Sequence, residues 1–421
     1  MTRILQFGEG YFLRGFFDWM VQRLNDRAGF DGRVHIMQPR RAELTDASRA
    51  LAAAGGRYHV CLRGISEGAP SESFEEIRCV DGVSGAGDAA AFAGLPDLRF
   101  VVSNTTEAGI EYRKGADTFP AKVARLLAAR HAAGLPGLVF LPMELIEDNG
   151  DALRDCVLRH VADDFSGAGR ESLEKWIRGE CVFCNTLVDR IVSGAPDAAS
   201  AGRFAQVPGV DPATLVCAEP FHFLAISAPA GYDLESELPL RRAGLSVAYA
   251  RDIAPYRVRK VRFLNGAHTA SVARGLLSGF TEVAQLVNDA QSRALLEKII
   301  FDEICPTVAL PDAEKRRYAE SVLERFANPF AHHRLQSIAL NSVAKWRVRV
   351  LPTVLDFKRL FGHLPEGLWE SLDWLLRLYA ERPDLVNDSP DVAEYLRSAP
   401  PRGEALSRVD LWGMDLTGVE R

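Results

Sequence analysis

Short apolar runs alternating with helical spacings up to about residue 250, and almost wholly helical spacing after it, predict an α/β chain followed by a mainly α-helical domain. The first part reads as a parallel sheet with crossover helices. A length of 421 residues, at roughly 150 per domain, leaves room for two or three domains. The change of character near Ala254-Pro255 divides the chain into residues 1–252 and 253–421.

Taken in order, Ile4–Phe7 is the first strand and Gly8-Glu9-Gly10 its turn. Leu13, Phe16, Phe17, Met20, Val21 and Leu24 then recur with the period of an amphipathic helix. A second strand, Val34–Met37, runs into Gln38-Pro39-Arg40-Arg41, and a third, Leu98–Val102, runs into Ser103-Asn104-Thr105-Thr106. Between them, Tyr58–Leu62 and Phe74–Val80 read as an inserted pair of strands. Pro120–Ala133 is helical in spacing, Leu138–Leu141 is a strand, and Asn149-Gly150-Asp151 opens a helix through Leu153, Val157 and Val161. Ala86–Gly94 and Ala195–Gly202 are small-residue loops or weak helices. Beyond the boundary, Leu295, Ile299 and Ile300, then Val322 and Phe326, then Leu372, Leu375 and Leu376 keep the helical period.

Apolar residues at 47% and charged residues at 25% exclude a disordered chain or a repetitive fibre. Fifty Lys plus Arg against fifty-six Asp plus Glu leave a net charge of −6, which gives no field to attract a nucleic acid. The seven scattered cysteines read as reduced thiols. No apolar run reaches about eighteen residues, and Met1-Thr2-Arg3 leaves no room for a signal peptide before the first strand. The expectation is a cytoplasmic protein with neither a membrane nor a nucleic-acid partner.

Gly8-x-Gly10 after a strand lets backbone approach a pyrophosphate at a helix N-terminus, or makes a plain tight turn. The third glycine of the dinucleotide fingerprint is replaced by Leu13. Arg14 either reaches a phosphate or is a solvated helix charge. The acidic residue expected after the second strand is absent, and Arg40 and Arg41 there hold a 2′-phosphate or belong to a surface turn.

Lys260, Asn265 and His268 are the most informative set. At about 100° per residue, lysine and histidine lie roughly 80° apart and asparagine and histidine roughly 60° apart, so all three line one wide stripe. In the first turn, beside Arg257, Arg259 and Arg262, Lys260 would have a lowered pKa suited to general acid/base work. Asn265 offers an amide donor to a carbonyl or alkoxide oxygen. The alternative is a basic helix start followed by a buried polar pair. Asn185 is a second possible amide donor, whereas Cys181 and Cys184 lack partners for a zinc set and read as buried small hydrophobes.

In this order, Gly8-Glu-Gly-Tyr-Phe-Leu-Arg14, Asn185 with Asp189-Arg190-Ile191, and Lys260-x4-Asn265-x2-His268 resemble the polyol-specific long-chain dehydrogenases. That family contains mannitol dehydrogenase, and the resemblance spans nearly the whole chain. Ser103–Ile110, Glu144–Leu153, Arg259–Ala270, and Asn328-Pro329 through Ser337–Asn341 to Lys345 are similar to its hexuronate-reducing branch.

The resemblance implies an enlarged Rossmann-type N-terminal domain, a mainly α-helical C-terminal domain, and a site in the cleft between them. It implies Lys260 as general acid/base, Asn185 and Asn265 polarising the substrate oxygen, and His268 orienting substrate or lysine. The implied cofactor is NAD, held around Phe7, Gly8, Glu9, Gly10, Phe12, Arg14, Asn104 and Thr105. Lys345 and Glu144 are the implied substrate contacts, with Glu107 nearby and no metal.

The implied reaction reduces a small sugar acid, tagaturonate to altronate, with fructuronate reduction or polyol oxidation such as mannitol's as alternatives. Two departures bear on this. The polyol-oxidising branch has an arginine where this chain has Ser337, which weighs against mannitol, and the missing acidic residue leaves NAD against NADP open. The complete lysine, asparagine and histidine set weighs against a nucleotide sensor that has lost turnover. Monomer or dimer stays open.

Overall fold

The computed structural model describes residues 1–66, 68–87 and 89–420, with Ser66 and Glu107 described by their backbone alone. The chain forms two compact units, Met1–Arg63 with Ser71–Ile253, and Gly64–Pro70 with Ala254–Arg421.

The strands are β1 (Thr2–Phe7), β2 (Gly32–Met37), β3 (Tyr58–Ser66), β4 (Ala69–Ile77), β5 (Val80–Ser84), β6 (Leu98–Ser103) and β7 (Val139–Pro142). They continue as β8 (Val182–Phe183), β9 (Asn185–Asp189), β10 (Val192–Gly194), β11 (Val216–Ala218), β12 (Phe223–Ser227) and β13 (Val247–Tyr249). One sheet has the order β5-β2-β1-β6-β7-β8 with every neighbouring pair parallel. The chain winds outward from β1 to one edge and from β6 to the other, the doubly wound order of a Rossmann-type domain. Its strands are apolar on both faces because both are covered: Ile4, Val34 and Ile36 enter one core, and Leu5, Phe7 and Phe140 the other.

The run read as one strand from Phe74 to Val80 is two. Gln22 Oε1 takes the Arg78 amide (2.7 Å), and the Cys79 carbonyl accepts from Val34 N (2.9 Å), so the chain leaves β4 and enters the parallel sheet. Two smaller sheets, β10-β11-β3-β4 and β13-β12-β9, complete the first unit. The small-residue segments become a 3-10 turn at Ala89–Phe92 and a helix at Ala198–Phe204.

The helix after β1 runs Tyr11–Leu13, then a π turn at Arg14–Asp18, then Trp19–Ala28. The close helix–strand packing expected of a third fingerprint glycine falls to Gly15. A Cβ there would lie 2.9 Å from Val216 Cγ1 and 3.1 Å from Val192 Cγ1.

Past Ala254 every described element is helical, joined by isolated bridges such as Glu282 with Arg334. The buried helix Ala267–Leu277 packs against Leu335–Ile338, Ser342–Arg349 and Glu366–Glu381. Glu303 fixes the last of these by accepting from Gly367 N (2.7 Å) and Leu368 N (2.8 Å) at its positive end. Among the described residues no helix is long and apolar enough to cross a membrane.

Candidate active site

In the first unit the winding reverses between β1 and β6, and the crevice beyond their carboxyl ends is where open α/β sheets take ligands. Gly8 sits there with φ of 128°, a conformation that favours glycine, and a Cβ on it would lie 3.1 Å from the Asn104 carbonyl. Asn104 N in turn donates to the Phe7 carbonyl (3.1 Å), and Asn104 Nδ2 to Met143 O (2.6 Å). Gly10 precedes the helix, exposed, and a Cβ built on it meets nothing within 4 Å. The turn therefore offers open backbone at a helix start.

Thr105 and Glu144 form one structure. The buried Glu144 carboxylate accepts from Thr105 N (2.9 Å), Thr105 Oγ1 (2.9 Å) and Ser103 Oγ (3.0 Å). Burial raises its pKa against the pull of these donors. Glu144 thereby shapes the loop after β6, and it reaches the substrate expected of it only through that loop or with its remaining lone pairs.

The Phe7 and Arg14 side chains are both buried. The Phe7 side chain is fully buried against Phe119, ring centroids 4.8 Å apart, and gives the turn only its backbone. The Arg14 guanidinium, 2% exposed, donates to the Thr214 carbonyl and lies 4.5 Å from the Tyr58 ring centre, so it is neither solvated nor aimed at a phosphate. Tyr58 Oη donates to Asp18 Oδ2 (3.0 Å), and burial pushes the Asp18 carboxyl up to about 7. Gln6 ties this buried network to the turn by donating to the Gly8 carbonyl (3.1 Å). Phe12, half-buried, stacks on Phe16 at 5.1 Å.

Gln38 stands at the end of β2 in place of an acidic residue. Its amide is used locally, donating to the Arg41 and Glu43 carbonyls and accepting from Thr45 N. Arg40 and Arg41 are exposed or nearly so beside it.

Asn185 begins β9, and three of its amide's four hydrogen-bonding positions are used. Oδ1 accepts from Gly150 N (2.9 Å) and Asp151 N (3.1 Å), and Nδ2 donates to Asp151 Oδ2 (2.7 Å). It closes the N-terminus of the helix Asn149–Asp164, against which Gly150 packs so closely that a Cβ would lie 2.3 Å from the Cys184 carbonyl. The sequence reading missed that packing, although a glycine at a helix start was its signal. Burial pushes the Cys181 and Cys184 thiols up to about 12, so they stay protonated near neutrality.

In the second unit, Lys260–Gly266 is a π turn between the helices Ala254–Arg259 and Ala267–Leu277. Lys260 thus lies beyond the first turn, where the helix dipole contributes little. Of the arginines beside it, Arg259 Nη1 donates to Glu314 Oε1 (2.6 Å) and Arg262 pairs with Asp356.

The π turn gives something else. In an α-helix residues five apart point roughly 140° away from each other. Bonding from i to i+5 brings them one above the other instead, a distortion frequent at functional sites. Lys260 and Asn265, both half-buried, thereby share a face. The Asn265 side chain has no hydrogen-bond partner among the described residues, which leaves its donor available; only the backbone carbonyl of Asn265 is taken, by Thr269 Oγ1 (2.8 Å).

His268 is buried and stacked on Phe326, ring centroids 4.0 Å apart, with His333 edge-on at 5.2 Å. Burial, and the positive neighbourhood of His333, Arg325 and Arg349, hold its pKa well below the usual range, so the ring is neutral. Its buried Nε2 has no partner among the described residues. Lys345 lies on the helix Ser342–Arg349, which packs on both the π turn and Ala267–Leu277. Its Nζ donates to the Ile338 carbonyl (2.9 Å), leaving two donors, and burial and Arg349 lower its pKa.

Residues 2–235 match the mannitol dehydrogenase Rossmann domain, and residues 252–381 match the mannitol dehydrogenase C-terminal domain. The chain belongs to the mannitol dehydrogenase family. It is an oxidoreductase of that family.

Among its relatives, an altronate oxidoreductase of Klebsiella pneumoniae (strain 342) is 40% identical over 416 residues, covering 93% of this chain and 84% of the relative. One from Bacillus subtilis (strain 168) is 37% identical over 443 residues, covering 100% and 90%. Among solved structures, a D-sorbitol dehydrogenase in substrate-free form superposes with a TM-score of 0.83 at 20% identity, over 99% of this chain and 90% of that one. The Pseudomonas fluorescens mannitol 2-dehydrogenase ternary complex with NAD and D-mannitol gives 0.69 at 19%, over 100% and 89%. Both bear on the family fold alone.

Proposed function

We propose that this oxidoreductase reduces the keto group of a hexuronate, tagaturonate to altronate, with NADH as hydride donor and without a metal. The observation that carries the chemistry is the π turn that puts Lys260 and Asn265 on one face; the substrate is drawn from the relatives named altronate oxidoreductase. NAD would lie in the crevice of the first unit, at the open backbone of Gly10 and beside Gly8, Asn104 and Thr105. When bound it supplies the hydride. Lys260 delivers the proton to the substrate oxygen, Asn265 donates a hydrogen bond to that oxygen as negative charge develops, and the neutral ring of His268 orients lysine or substrate. Asn185 would serve the same oxygen with the second N–H of its amide, the first being given to Asp151.

The test is loss of nicotinamide absorbance over a panel of ketouronates, ketoses and polyols, run with NADH and NADPH. Turnover is expected with tagaturonate above all others; activity confined to free polyols would overturn the reading.

NADH is the expected coenzyme from the family resemblance, against the exposed Arg40 and Arg41 that stand beside Gln38. A preference for NADPH would assign the 2′-phosphate to Arg40 or Arg41, and Arg40→Asp would then reverse it. Activity is expected to survive exhaustive chelation and dialysis in full, since the proton donor is a lysine; loss restored by zinc would refute the metal-free mechanism.

The substrate's carboxylate needs a cation or amide donors. Lys345→Ala is expected to raise the Michaelis constant for the ketouronate beyond that for the matching uncharged ketose by roughly 1.5 to 3 kcal/mol, as for hydrogen bonds to charged groups. Equal losses would mean that Lys345 holds hydroxyls.

A further inference from the structure

Arg347 and Arg349 both lie in the last turn of the Lys345 helix, and they differ in what they face. Arg347 packs at the Gly413 side, where a Cβ on Gly413 would lie 3.4 Å from Arg347 Cδ. Arg349, four residues after Lys345, shares its helix face. That residue abuts the catalytic turn. A Cβ on Gly266, which follows Asn265, would lie 3.1 Å from the Arg349 carbonyl oxygen.

The Arg349 guanidinium is half-buried, yet it has no hydrogen bond or ion pair among the described residues. Arg259 and Arg262, in the same neighbourhood, are each neutralised by a carboxylate. The acidic group that acts on Lys345, Asp388, is itself occupied by Tyr379 Oη and Ser389 N. Taking a guanidinium out of water without a counter-charge is costly, and the cost is recovered when an anion arrives. Burial accordingly lowers the Arg349 pKa, and its charge is felt at both His268 and Lys345.

We propose that Arg349 is a specificity-determining residue that, with Lys345, clamps the carboxylate of the acid substrate, the planar guanidinium taking both oxygens where the ammonium takes one. This rests on the ketohexuronate reading above.

The experiment compares wild type, Arg349→Gln and Arg349→Lys on tagaturonate and on the ketohexose of the same configuration, with NADH affinity measured by its fluorescence. Arg349→Gln is expected to raise the Michaelis constant for the ketouronate tenfold or more and that for the ketose less than twofold, with NADH affinity unchanged. Arg349→Lys, which keeps the charge and loses the fork, is expected to fall between. A wild-type enzyme that does not reduce the ketouronate would overturn the parent reading and this one together. Wild-type turnover combined with equal losses on both substrates, or with no loss on either, in both variants would overturn the role of Arg349 alone.

Discussion

Lys260→Ala is expected to lower turnover of the ketouronate by about 10² or more while NADH still binds at wild-type strength. The lysine sits half-buried at the start of the π turn, and its cationic neighbours cannot replace it. Arg259 and Arg262 are held by Glu314 and Asp356, and a guanidinium does not give up its proton in a protein. The limb of the pH–rate profile that reports the acid should disappear with the side chain. Turnover unchanged in the variant would remove Lys260 from the mechanism.

Asn265→Ala is expected to cost a similar amount, on the order of 10² to 10³ in kcat, with a smaller change in KM. Its amide is uncommitted in the structure and shares a face with Lys260, so its hydrogen bond is made most strongly when the substrate oxygen carries developing charge. Asn185, the other amide expected from the sequence, is tied to Gly150 and Asp151. A loss confined to KM would make Asn265 a binding group.

The parallel strands were legible because they are buried on both faces and so appear as apolar runs, unbroken in Leu138–Leu141 and interrupted only by the buried Gln6 in Ile4–Phe7. β5 was not, since Val80-Asp-Gly-Val-Ser has no such run and its pairing with β2 depends on Gln22 capturing the Arg78 amide from a distant helix. Lys260, Asn265 and His268 could be picked out by type and spacing. The π turn that joins the first two could not, because an α-helical period separates them and no propensity marks an extra residue in a turn.

Arg14 and Glu144 are alike in their setting. Each carries a charge at a place where a ligand was expected, and each is claimed by non-local partners, Thr214 and Tyr58 for the arginine and Ser103 with Thr105 for the carboxylate. Periodicity is silent on such partners. Arg349 is the converse, a cation whose missing partner becomes visible only when its surroundings are laid out.

The most direct test follows the transferred atom. Tagaturonate is reduced with NADH deuterated at the reactive nicotinamide position, and the altronate formed is analysed for carbon-bound deuterium. One deuterium on the new carbinol carbon, with none exchanged from solvent and none formed by Lys260→Ala at the wild-type rate, is the predicted result. Altronate without the label, or no altronate from the wild-type enzyme, would contradict the account.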